Sequence, residues 1–138
     1  MSNPTRLVRD DAYEEMGTAY QCVLADVLDS ALREHGVADA ALRQKVCRSF
    51  VFNMGCFHDQ GWLKATPDGG PLYPLLCFTE RFLNTDTPVE GLGAVYAPPP
   101  LFAFHEYAGG SVDAFFEGDP AARVETGNFE GGDDDDGD

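Results

Sequence analysis

The residues best suited to chemistry lie close together: Cys56-Phe57-His58-Asp59, with Cys47 upstream and Cys77 downstream. Thiolate and imidazole are the ligands of tetrahedral zinc sites, which makes Cys47, Cys56, His58 and Cys77 the candidate metal ligands and zinc the candidate cofactor. Cys47 and His58 stand eleven residues apart and share a face if the segment is helical. Against a metal, the chain has no close cysteine pairs and no Cys-x-x-Cys turn, the spacings that structural zinc sites use. Cys22, Cys47, Cys56 and Cys77 all have apolar neighbours, so the preferred reading is reduced thiols used in packing, with no cofactor.

A thiol nucleophile needs an accessible thiolate beside an imidazole. Cys56 and His58 are two residues apart and point to different sides of a helix, which disfavours a direct pair. Pairing of His58 with Cys77 or His105 depends on the fold. His105-Glu106 falls in a predicted strand, where neighbours face opposite sides and cannot hold one ligand together. HExxH, GxSxG, GxxxxGK[ST] and GxGxxG motifs are absent, and Gly91-Leu92-Gly93 reads as a turn. The sequence leans away from an enzyme and identifies no catalytic residue. The aromatic residues Phe102, Phe104, Tyr107, Phe115 and Phe116 are assigned to core packing, with a partner-binding groove as the alternative.

The charge of -15 repels nucleic acid and anionic lipid, which disfavours direct binding to either. Fifteen Asp against nine Glu, and seven Arg against two Lys, resemble the composition of proteins from organisms with molar cytoplasmic salt. At about 1 M salt the screening length falls to roughly 3 Å, so crowded carboxylates barely repel and instead hold water. The first fifteen residues carry two arginines and four acids, unlike a secretory signal, and no uncharged run is long enough for a bilayer. A cytoplasmic, non-membrane protein is expected.

The elements that would position these groups follow from periodicity. Asp11 to His35 predicts an amphipathic helix, with a capping box at Asp11 and Glu14 and Gly36 as its stop. Asp39 predicts the N-cap of a second helix running to about Gln60, antiparallel to the first. Pro67-Asp68-Gly69-Gly70 predicts a β-hairpin, with Pro71 and Pro74 restricting its second arm to an edge. Thr79 to Leu83 is expected as a short helix before a turn at Asn84 to Pro88, Leu101 to Tyr107 as a strand, and Ser111 to Glu117 as a short helix in preference to a hairpin arm.

With 43% hydrophobic residues the chain supports one real core. The expected fold is α+β: an N-terminal antiparallel helical hairpin packed on a small C-terminal antiparallel sheet with short helices. One domain over 1–118 should precede a disordered acidic tail over 119–138. The expected function is that of a small, salt-adapted, noncatalytic accessory or protein-interaction module, binding a protein partner or itself. The alternatives are a Cys/His zinc protein and a nucleic-acid-mimic inhibitor.

Overall fold

The structure, a computed structural model of the chain, describes residues 3–127. Its first helix, α1 (Ala12–Glu34), starts and stops on local chemistry. Asp10 accepts from the Ala12 N–H, whereas Asp11 makes no side-chain cap, so the expected capping box is replaced by the preceding aspartate. At the other end Gly36 adopts φ +95, its N–H bonds to Arg33 O, and the Val37 N–H bonds to Leu32 O. This is the Schellman closure that glycine permits. Three residues later Asp39 caps α2 (Ala40–Gln60), its carboxylate accepting from the Ala41 and Leu42 N–H groups.

The tight joint is locked by Asp29, which is only 2% exposed. It accepts from Arg33 on its own helix and from Arg43 Nε on α2 at 2.6 Å, and Arg43 also reaches the Val37 and Ala38 carbonyls. Burial alone would raise this carboxyl's pKa; hydrogen bonds and charge from the two arginines outweigh it and hold the pKa below its ordinary value.

The largest departure from expectation is a third long helix, α3 (Phe104–Phe116), covering the end of the predicted strand and the 111–117 segment up to its C-cap Glu117. Its inward residues, Phe104, Ala108, Ser111 and Val112, recur at helical spacing. The aromatic residues and Gly109-Gly110 obscure that period, because each glycine lowers helix propensity by about 1 kcal/mol relative to alanine. A Cβ at Gly109 would meet only the guanidinium end of Arg48, at 3.2 Å. The core therefore forms between three helices, with Ala25, Cys47, Val51, Ala108 and Val112 at its centre. A buried polar clasp joins α1 to α3, Ser111 Oγ donating to Gln21 Oε1 and Gln21 Nε2 donating to Phe104 O, each at 2.9 Å.

The α+β class holds, but the sheet is mixed where an antiparallel one was expected. Strand β1 (Arg6–Val8) runs parallel to β3 (Ala94–Tyr96), and β2 (Phe78–Thr79) pairs antiparallel with β3's other edge. The predicted hairpin around Pro67-Asp68-Gly69-Gly70 contracts to one reciprocal pair, Leu63 with Leu72. Pro71 and Pro74 lack the N–H groups needed to extend it. No helix forms at Thr79 to Leu83; the chain bends after β2, and the Asn84 side chain then closes the expected turn on Asp86 and Thr87.

Beyond α3, Pro120–Ala122 forms a 3-10 turn capped by Asp119 that buries Ala122, inside the segment expected as tail. The rest of the predicted tail, 128–138, lies outside the described residues. No helix among the described residues is long and apolar enough to cross a membrane.

Candidate functional site

The last turn of α2 is where polar chemistry gathers. Asp59 projects from it toward the start of α3, with its side chain 7% exposed. Oδ1 accepts from the Phe104 N–H at 2.6 Å and Oδ2 from the His105 N–H at 3.0 Å, while His105 Nδ1 lies 2.6 Å from Oδ2. Because a carboxylate only accepts, Nδ1 carries the proton of that pair. α3 has no capping side chain of its own at Ala103, so its cap comes from a residue 45 positions earlier.

Such proximity requires a close helix crossing, which Gly55 provides. A Cβ at that position would lie 2.8 Å from the His105 nitrogen and 3.0 Å from its Cα. Phe52, one turn earlier on α2, meets the His105 ring edge-on at 5.9 Å.

His58, beside Asp59 in sequence, turns inward. Its ring packs against Tyr20 and Phe104, and neither ring nitrogen has exposure or a hydrogen-bond partner. Burial pushes its pKa down, outweighing the nearby Asp59 charge, so the ring is held neutral. His58 and Asp59 form one wall of a cavity of about 370 Å³ closed by residues from β1, the 74–75 segment and the chain entering α3. Arg9 stands in the same cavity, its Nε donating to Pro98 O at 2.7 Å.

Behind this site the aromatic residues assigned to the core take that role in part, with Tyr107 bonded to Glu14 at the surface. Phe104 is buried, and Phe102 and Phe104 pack edge-on against the fully buried Tyr13 ring. The Tyr13 hydroxyl donates to Leu76 O at 2.6 Å, and desolvation, then the nearby Cys77 and Asp59, raise its pKa well above the ordinary phenol value.

The four candidate metal ligands do not come together. Cys47 lies in the three-helix core with its thiol directed at Ala25 O, and burial, then the Asp29 charge, raises its pKa to about 11. Cys56 is exposed, Cys77 half-buried, and His58 turned into the aromatic layer. Among the described residues no three His, Cys, Asp or Glu side chains converge as a metal would require. The expectation that His105 lies on a strand is also corrected, since it occupies the first turn of α3. Sequence reasoning missed Arg9 altogether and noted Asp59 only as a neighbour of the Cys-His motif. The one available signal for Asp59 was its N-cap residue type, without a following helix to attach it to.

What this arrangement does chemically is hold a helix start and orient one imidazole. Among the described residues no hydroxyl or thiol hydrogen-bonds to His105. Comparison with protein-family models, with curated proteins and with solved structures finds no match to this chain.

Proposed function

We propose that this chain is a noncatalytic accessory protein that docks another polypeptide through the loop clasped by Leu63 and Leu72. The observation that carries this reading is the concentration of uncovered apolar side chains there. Trp62, Leu63, Leu72, Tyr73 and Leu75 are 43% to 66% exposed, while the centre of the three-helix core is filled by alanine, valine and cysteine. Single exposed hydrophobic residues are ordinary, but several on one short bridged segment are a feature of interaction surfaces. Trp and Tyr are also the residues that most often anchor interfaces.

The acidic coat belongs to the same proposal. Fifteen of the eighteen carboxylate residues among those described are exposed, on α1, α3 and the loops between, while Asp29 and Asp59 are engaged internally. A hydrated coat of this kind suits a cytoplasm of molar salt, where association through an apolar patch is not opposed by long-range repulsion.

Trp62, the chain's single tryptophan, supplies the test. Its emission should shift to the blue when the loop is covered, either by a second copy at high concentration in 2 M KCl or by a protein captured from the native host. Trp62 emission in a Leu72→Asp, Leu75→Asp variant should stay unshifted. The reading is wrong if sedimentation shows a monomer throughout and the wild type captures nothing that the variant does not.

A further inference from the structure

The cavity beside the α2 C-terminus contains one cationic group with donors to spare, Arg9, and is lined at its inner wall by the His58 ring. Arg9 is exposed at the rim, where its Nε donates to Pro98 O at 2.7 Å. Its Nη groups have no hydrogen-bond partner and no carboxylate within 4 Å among the described residues, although Asp10 and Asp11 follow it directly and the chain carries 24 acids. Asp10 is turned instead to the Ala12 N–H. Asp59, the acid in the cavity wall, directs both oxygens to the start of α3 and His105, so it is not free to pair with Arg9.

His58 lines the inner wall with its neutral ring, whose two nitrogens are not open to the cavity. The remaining walls, Leu7, Leu75, Pro98 and Phe102, are apolar, and about 370 Å³ lies within the range of small-molecule sites. A guanidinium edge presents two parallel donors that match a carboxylate.

From this set we infer that the cavity binds a small organic carboxylate with a compact apolar body. The carboxylate lies on the Arg9 Nη edge, the body against Phe102 and Leu75, and the ligand makes contact with the His58 ring. This site shares Leu75 with the docking surface proposed above, but Arg9 and His58 lie outside that surface, so a substitution at Arg9 separates the two proposals.

The probes are phenylacetate and its neutral isostere phenylacetamide, titrated into the full chain at a fixed molar salt concentration, with the His58 ring nitrogens followed by NMR. Phenylacetate should saturate with a dissociation constant of about 1 mM or tighter. Binding should move the His58 resonances, and the amide should bind at least about tenfold more weakly, as loss of a charge-assisted bond implies. Arg9→Gln should reduce phenylacetate binding to the level of the amide, while Arg9→Lys, which keeps the charge without the fork, should fall between. Lack of saturation by about 20 mM, equal binding of acid and amide, unmoved His58 signals, or a folded Arg9→Gln variant with unchanged affinity would each overturn the assignment. Self-association through Trp62 should persist in Arg9→Gln, so failure here is distinguishable from failure of the docking proposal.

Discussion

Replacing Asp59 with alanine tests the joint between α2 and α3 most directly. The substitution removes two acceptors from the first two N–H groups of α3 and one from the His105 ring. Loss of an N-cap costs about 0.5–2 kcal/mol, and loss of a hydrogen bond to a charged group about 1.5–3 kcal/mol. The carboxylate is nearly buried, but His105 is 37% exposed, so water can partly replace the lost acceptors. A net loss of about 2.5 kcal/mol is expected from these ranges. With a urea slope of about 2 kcal/mol/M, the midpoint should fall by about 1.2 M. Urea is the denaturant of choice because guanidinium chloride would also screen the carboxylates. Asp59→Asn keeps one acceptor but turns an amide donor toward the His105 proton, so it should lose roughly half as much. Amide exchange at Phe104 and His105 should accelerate in both variants. An Asp59→Ala midpoint within about 0.2 M of wild type, at unchanged slope, would refute the cap as a source of stability.

Gly55→Ala should destabilise by about 1–3 kcal/mol in the same assay, because the added methyl meets backbone of Phe104 and His105 and no flexible side chain; stability equal to wild type would contradict the close crossing. Asp29 has a depressed pKa in the folded state, so its ion pairs contribute fully above the ordinary carboxylate value near ~4, and that contribution is lost as pH falls through the lower folded value. Asp29→Asn should therefore flatten the acid limb of a stability-against-pH curve, and an unchanged limb would assign acid sensitivity to other groups. With a thiol reagent at neutral pH, exposed Cys56 should react first, while Cys22 and Cys47, buried and with raised pKa, should react only on unfolding; mass mapping of the first modified cysteine decides this.

The parts of the fold legible in sequence were those specified by neighbouring residues. The limits of α1 and α2 followed from Gly36, Asp39 and an unbroken apolar period, and the Asn84 turn from its own side chain. α3 was hidden because Phe102, Phe104 and Tyr107 suit a strand and Gly109-Gly110 suits a turn, while the contacts that settle the matter come from Gly55, Gln21 and Asp59 far away in the chain. β1 and β3 are three residues each and pair across more than eighty positions, too short and too distant for alternation to register. In the candidate site, the Cys-His motif drew attention to the correct turn of α2 for the wrong reason. Its thiols lie in different surroundings, Cys47 buried, Cys56 exposed and Cys77 half-buried, and the useful partners, Arg9 and His105, arrive from other elements.

Completion of the core by α3 has a consequence for biosynthesis. α1 and α2 precede α3 in synthesis, so a helical pair formed at that stage would leave its seam at Cys47 and Val51 without the lid that Ala108 and Val112 supply. Such a nascent pair would expose an oily groove, which α3, made later and capped by Asp59, closes.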